Sequence, residues 1–177
     1  MSILGLYLSM KYFYCTLVFL LIACSSNKHS SDNTCPTGIA CNSSLIANQS
    51  FEIKTDGIGK SYPMISEGDQ ILFEYSYSKQ APENTVDGQY IETIYAIFPK
   101  DIDILKLKDD QLQSISLSIN HSCFCKELSG LKPIREGRIC VKRISENTFQ
   151  IKLEITQTEL NNKIKKINET VTLRLKV

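Results

Sequence analysis

Hydrophobic and polar residues alternate along four stretches of the chain after residue 70. In each stretch an apolar side chain occupies every second position, with mostly polar residues between. A period of two, rich in β-branched and aromatic side chains, predicts strands with one buried and one solvated face. The apolar positions are Ile71, Phe73, Tyr75 and Tyr77; Ile115, Leu117 and Ile119; Phe149, Ile151, Leu153 and Ile155; and Val171, Leu173, Leu175 and Val177.

Other segments carry weaker or different strand signals. Residues 92–98 are apolar on both parities, which is typical of a central strand covered on both faces. Residues 51–55, 102–108 and 138–144 are weaker candidates, and clusters of Gly, Pro, Asn and Asp separate the segments. The pattern predicts an all-β fold of about eight strands, an antiparallel β-sandwich, with a β-barrel as the alternative.

Two short stretches of the sequence have features of a helix. Residues 157–166 keep a roughly helical spacing of apolar side chains, but Asn161-Asn162 fits a hairpin loop better, so we predict two paired strands there. Asp109-Asp110 before Leu112 predicts one short helical turn between strands.

The N-terminus carries an apolar run, residues 12–23, that follows a single cation, Lys11. The run is too short for a membrane-spanning helix, which needs roughly 20 residues, and it matches the apolar part of a secretory signal. Met10 lies directly before Lys11, so residues 1–9 are interpreted as an upstream extension, with Met1 and Met10 as alternative starts.

The apolar run ends in Leu21-Ile22-Ala23-Cys24. This tetrapeptide resembles the lipobox of bacterial lipoproteins, which implies that Cys24 is acylated and becomes the first residue of the mature protein. Ser25 follows, where an aspartate would imply retention at the inner membrane, so the resemblance implies an outer-membrane location in a two-membraned cell. The alternative is a cleaved secretory signal and a secreted protein, for which the chain offers four N-glycosylation sequons, at Asn42, Asn48, Asn120 and Asn168.

The chain therefore divides into three predicted parts. Residues 1–23 are a lipoprotein signal peptide, and residues 24–50 are a flexible tether that includes a Cys35/Cys41 loop. Residues 51–177 are the β-domain. The tether prediction rests on the ten polar residues after Cys24 and on the Asn and Ser residues before residue 50.

The amino-acid composition excludes some classes of protein and of partner. The chain is 42% hydrophobic and 22% charged, which excludes an intrinsically disordered protein. It holds 20 basic and 19 acidic side chains, which gives no electrostatic reason to expect nucleic acid. Removal of Lys11 with the signal leaves a balanced domain, so we expect the lipid on Cys24, and not charge, to hold the protein at the membrane.

Seven cysteines are the unusual feature of the composition. One lies in the signal and one in the lipobox, and an exported chain favours disulfides between the remaining five. Cys35 and Cys41 bracket five residues with Pro and Gly and are predicted to pair. Cys140 is predicted to pair with Cys125, with Cys123 as the alternative partner.

The cysteine that is left over permits one metal-site hypothesis. His121, Cys123 and Cys125 occupy alternate positions and would share a strand face, with Cys140 across from them. Imidazole and thiolate ligands suit Cu(I) or Zn, although this spacing is not that of the usual zinc motifs. The simpler interpretation is one disulfide, one buried cysteine and a surface histidine, and it predicts no cofactor.

No sequence motif indicates catalysis. The chain has two histidines and no nucleophile-elbow, phosphate-loop or metalloprotease motif. We therefore predict a non-enzymatic binding or structural module of the cell envelope, whose partner is an envelope protein or ligand. The alternative is a periplasmic metal- or thiol-handling protein that uses His121, Cys123, Cys125 and Cys140.

A second resemblance covers part of the predicted β-domain, between residues 67 and 153. It runs from Gly68-Asp69 before an aromatic strand, through residues 87–98 and the Cys123-x-Cys125 pair, to Gly137-Arg138-Ile139. In this order of elements the segment is similar to uncharacterised lipoproteins of two-membraned bacteria. The resemblance implies a location and a fold, and no chemistry.

Overall fold

The computed structural model describes residue 35 and residues 39–79, 88–124, 129–158 and 164–177. The predicted signal peptide 1–23, the predicted lipidation site Cys24 and the predicted disulfide residue Cys125 lie outside these residues. The side chains of residues 158, 164 and 165 are also outside the description.

Strands dominate the described chain. They are β1 (Ile39–Thr55), β2 (Ser61–Glu67), β3 (Gln70–Lys79), β4 (Tyr90–Pro99), β5 (Ile104–Lys108), β6 (Ser118–Ser122), β7 (Gly130–Pro133), β8 (Gly137–Ser145), β9 (Thr148–Thr158) and β10 (Ile164–Lys176). A 3-10 helix, Asp109–Ile115, connects β5 to β6 and confirms the helical turn predicted there. None of the helical structure in the described ranges is long and apolar enough to cross a membrane.

The strands form one curled sheet in the order β5-β8-β9-β10-β1-β3-β4-β6-β7, and β2 pairs with β1 outside this path. The sheet curls into a half-barrel, which confirms the all-β class. Neighbours are antiparallel except β1 and β10, which pair in parallel at Leu45–Leu175 and Ile46–Lys176. This short contact joins two halves, β5-β8-β9-β10 and β1-β3-β4-β6-β7.

The inner faces of the two halves enclose the main hydrophobic core. Alternate residues of β3, β4, β8 and β9 point into it, as the period of two predicts. Phe73, Ile94 and Ile151 are each no more than 1% exposed. Burial of an aliphatic or aromatic side chain of this kind stabilises the fold by about 1.5–3 kcal/mol.

β1 begins at Ile39, well before residue 51, where the sequence pattern places the start of folded structure. Residues 39–46 pair with β3 along almost their whole length, and Leu45 is 1% exposed in the core. Residues 39–50 therefore belong to the sheet and not to a tether. Their backbone donors and acceptors are satisfied by strand pairing, although half of their side chains are polar.

A β-bulge between Ile46 and Gln49 divides β1, and Asn48 has a positive φ of 58° there. Beyond the bulge β1 pairs with β2 as a hairpin, and β2 also contacts β7. This hairpin covers part of the outer face of the second half. A second, smaller hydrophobic cluster lies there: Phe51, Leu72, Tyr95, Ile97 and Leu131.

Candidate functional site

The structure does not assemble the predicted His–Cys metal site. His121 lies on β6, which pairs with β4 and β7, whereas Cys140 lies on β8, which pairs with β5 and β9. Cys123 is disulfide-bonded, so it offers no free thiolate. Within the part of the chain that the structure describes, no group of three or more metal-binding side chains comes together.

The cysteines divide into bonded and free residues. Cys35 and Cys41 form the predicted disulfide, with 5.9 Å between their Cα atoms, and this bond ties residue 35 to the start of β1. Cys140 is a free thiol. The predicted disulfide between Cys140 and Cys125 is therefore not formed in this structure, and Cys140 is also not paired with Cys123.

His121 is buried and interacts with a carboxylate, where the simpler interpretation expected a surface histidine. The strand register places Glu92 of β4 directly opposite His121 of β6. The two side chains are 1% and 2% exposed, and 3.6 Å separates His121 Nε2 from Glu92 Oε1. The Tyr90 hydroxyl donates a hydrogen bond of 2.6 Å to the same Glu92 oxygen. Burial of an acidic side chain requires such partners, because an unpaired charge in an apolar interior is strongly unfavourable.

A second buried carboxylate lies beside two core tyrosines. The Tyr77 hydroxyl on β3 donates a hydrogen bond of 3.2 Å to Glu169 Oε1 on β10. Tyr75 packs edge-on against Tyr77, with 4.9 Å between ring centroids, and its own buried hydroxyl has no hydrogen-bond partner. Burial, followed by the nearby Glu169 charge, raises the pKa of Tyr75 to about 12.

These groups form what we call the interior polar cluster. Strand pairing places Tyr77 opposite Glu92 and Glu92 opposite His121, so the polar groups continue across β3, β4 and β6. All members but Tyr90 are less than one-tenth exposed. The members are Tyr75, Tyr77, Tyr90, Glu92, His121 and Glu169.

Chemically, the interior polar cluster holds acid and base groups, but it lies inside the sheet. Glu92 and His121 are almost completely enclosed, and the three surface clefts described below are lined by other residues. A general acid or base must come within hydrogen-bonding distance of its substrate. The arrangement therefore favours a structural role for this cluster.

The outer face of the first half of the sheet carries a concentration of positive charge. Register places the outward-pointing residues of β5, β8, β9 and β10 in continuous rows across this face. One carboxylate, Glu154, lies among the outward-pointing side chains described there. We call this surface the basic face; its cations are Lys106, Lys108, Arg138, Lys142, Lys152, Lys166 and Arg174.

Glu154 forms ion pairs with two of these cations and neutralises one positive charge. Arg138 Nε donates to Glu154 Oε2 at 2.5 Å, and Lys152 Nζ lies 2.8 Å from Oε1. The hydrogen bonds from Lys152 and Arg138 hold the pKa of Glu154 below its usual value. At the edge of the basic face, Lys108 Nζ lies 3.4 Å from Asp109 Oδ2.

Two adjoining clefts open on the basic face, with volumes of about 340 and 350 Å³. Both are lined by Lys108, Arg138 and Glu154, and the second also contains the Cys140 thiol. Cys140 lies between Lys106 and Lys152 in one row of the sheet, so the free thiol marks the middle of the basic face.

A third cleft, of about 450 Å³, lies on the outer face of the other half and is mainly polar. Ser44 donates a hydrogen bond of 3.1 Å to Glu74 beside it. This cleft has a single lining cation, Lys176, and a single carboxylate. It therefore lacks the charge concentration of the basic face.

The residues of the basic face were not predicted as a site, although the sequence contains a usable signal. Lys106 and Lys108 share a parity, as do Arg138 and Lys142, and each pair alternates with apolar residues. Sorting charges by the parity of each predicted strand would have placed these cations outward. The sequence contains a comparable signal for the burial of Glu169, because Glu169 shares its parity with the inward residues Ile167 and Val171.

Comparisons of this chain with protein-family models, with curated proteins and with solved structures find no match. The function proposed below therefore rests on the residues and their geometry.

Proposed function

We propose that this protein is a lipid-anchored cell-envelope protein whose β-domain is a non-enzymatic binding module. The anchor is supported by the tetrapeptide that ends in Cys24 and by the short apolar run before it. Acyl chains on a single cysteine hold a protein well when more than one is attached. The serine after Cys24 favours the outer membrane, and a secreted protein is the alternative.

The observation that carries a binding role is the contrast between the interior and the surface of the domain. Its best acid–base pair, Glu92 and His121, is 1% and 2% exposed and cannot meet a substrate. The basic face, in contrast, presents charged side chains on four hydrogen-bonded strands. Such an arrangement suits recognition of an anionic partner, because opposite charges accelerate and orient association.

The anchor is tested by labelling cells that express the protein with radioactive palmitate. We expect label on the wild-type chain and on Cys15→Ala, which makes the same substitution at a cysteine of the predicted signal. Cys24→Ala should lose the label, because the thioether needs that sulfur. Label that survives Cys24→Ala would overturn the anchor.

A further inference from the structure

We propose that the basic face docks the β-domain onto anionic phospholipid headgroups, at the surface of the membrane that holds the acyl chains of Cys24. This inference rests on the proposed lipid anchor and names a partner for the binding module. It also revises the expectation that charge has no part in the attachment of the protein to the membrane.

Charge complementarity is the first argument. The basic face holds seven cations, and Glu154 and Asp109 neutralise part of that charge, which leaves five positive charges in excess. No carboxylate of the described chain lies within 4 Å of the amines of Lys106, Lys142 or Lys166. A lysine near an anionic membrane surface increases binding by about fivefold.

The spread of the charges is the second argument. Lys108 on β5 and Lys166 on β10 are separated by β8 and β9. With neighbouring strands about 4.8 Å apart, three spacings amount to about 14 Å. Lysine side chains can narrow this backbone distance, since Lys108 and Lys166 line one cleft. Lys166 and Arg174, however, lie eight residues apart along β10, about 27 Å, which is too far for one phosphate group to contact both. A layer of phospholipid headgroups can contact all of them together.

The length of the chain before the domain is the third argument. Ten residues lie between Cys24 and Cys35, and the eleven steps from one cysteine to the other reach at most about 40 Å. The disulfide then fixes Cys35 to Cys41 at the start of β1. Because β1 and β10 are parallel, the start of β10, with Lys166, lies toward the same strand ends as Cys41. The cations are therefore confined near the lipid surface, which raises their effective concentration there.

The free thiol of Cys140 provides a reporter in the middle of the basic face. Lipidated protein, purified in detergent, is added to vesicles of phosphatidylcholine or of phosphatidylcholine with one third phosphatidylglycerol. The rate of Cys140 modification by a bulky polyethylene-glycol maleimide is then measured, and Cys140→Ser gives the background. Docking must slow the reaction, because the face becomes closed to the reagent.

We expect the reaction to be at least about tenfold slower on phosphatidylglycerol vesicles than on neutral ones. Three free lysines at about fivefold each multiply to roughly a hundredfold, and part of this is lost when the domain is oriented. About 1 M salt should abolish the difference, because the Debye length then falls to about 3 Å.

Two triple variants with equal change of charge separate docking from a general surface effect. Lys106→Gln, Lys142→Gln and Lys166→Gln together should remove most of the difference between the vesicles. Lys79→Gln, Lys100→Gln and Lys132→Gln, exposed cations outside the basic face, should leave it unchanged.

The outcomes distinguish the docking proposal from the anchor. Protein that floats with neutral vesicles but shows equal Cys140 rates on both vesicle types overturns docking and leaves the anchor in place. Protein that does not float with neutral vesicles overturns the anchor. Docking is also overturned if both triple variants show the same difference in Cys140 modification rate between the two vesicle types. The effect would then not depend on the cations of the basic face.

Discussion

Tyr75 and Tyr77 provide a matched pair of substitutions with opposite expected effects. Both rings lie in the core on the same face of β3, two residues apart. The Tyr77 hydroxyl donates to Glu169, whereas the Tyr75 hydroxyl is buried without a hydrogen-bond partner. Replacement of each tyrosine by phenylalanine removes one oxygen and leaves the ring, so the two variants compare a bonded hydroxyl with an unbonded one.

The free energy of unfolding should fall by about 2 kcal/mol in Tyr77→Phe, within the range of 1.5–3 kcal/mol for hydrogen bonds to charged groups. Glu169 is 7% exposed, and its second carboxylate oxygen has no hydrogen-bond partner, so loss of Tyr77 leaves a buried acid poorly solvated. Tyr75→Phe should leave stability unchanged or raise it by up to about 1 kcal/mol, because it removes a buried polar group that forms no bond.

Urea titrations and thermal melts of the wild-type protein and both variants test this difference. For a domain of this size Tyr77→Phe should lower Tm by about 4–8 °C, while Tyr75→Phe should not lower it. A double-mutant cycle of Tyr77→Phe with Glu169→Gln should give a coupling energy of roughly 1 kcal/mol. Equal destabilisation by the two phenylalanine variants, or strict additivity in the cycle, would refute the reasoning.

Two further predictions concern a glycine and alkaline pH. Gly137 begins β8 with φ of 126°, and a Cβ there would collide with the backbone of β9, so Gly137→Ala should destabilise the protein by about 3 kcal/mol or more in thermal melts. Gly57→Ala is the control: its Cβ would meet nothing within 4 Å, and a loss above about 1 kcal/mol there would argue against this explanation. The raised pKa of Tyr75 means that the folded state holds this proton more tightly than the unfolded state. Its contribution is complete below the ordinary pKa of 10.0 and is lost as the pH rises toward about 12. Tyr75 should therefore contribute a fall in stability of up to about 1.4 kcal/mol per pH unit in this window. Tyr77, whose pKa is also raised by burial, adds to the fall, so stability from urea titrations should decline less steeply in Tyr75→Phe than in the wild type; identical slopes would contradict the prediction.

The elements that sequence patterns predict best are those whose two faces have clear chemical identities. β4 is apolar on both parities because Ile94 faces the main core while Tyr95 and Ile97 face the second cluster, and it is paired on both sides. β9 alternates from Phe149 to Ile155, β10 alternates except at the inward Glu169, and the two strands pair antiparallel as predicted. In these segments the side chains alone indicate what each face contacts.

Other strands depend on their neighbours more than on their own side chains. Residues 39–50 are rich in Asn and Ser and resemble a tether, but β3 supplies pairing partners along their length. β2 contains Pro63 and does not alternate, as is tolerated in a strand that pairs on one side only. Strand formation of this kind is decided by non-local pairing, which a local pattern does not contain.

The candidate sites also differ in whether local sequence or non-local strand pairing determines them. The Cys35–Cys41 disulfide is predictable because a short loop brings its ends together. The contact between Glu92 and His121 is not predictable in this way, because it depends on the register of two strands whose paired residues are 29 positions apart along the chain. The metal-site hypothesis is wrong for Cys140 for the corresponding reason: it requires Cys140 to lie across from His121, whereas β8 and β6 lie in different halves of the sheet.

The net charge of the whole chain is a poor guide to how this protein interacts with a charged surface. The 20 basic and 19 acidic side chains nearly cancel, yet a membrane responds to the local potential within about a Debye length and not to the total. Alternation along β5, β8 and β9 places apolar residues inside and cations outside, so the same period of two that forms the core also collects positive charge on one face. Because the total is balanced, the acidic excess must lie elsewhere on the chain. A chain with this separation of charge can turn one side toward an anionic surface while its net charge stays close to zero.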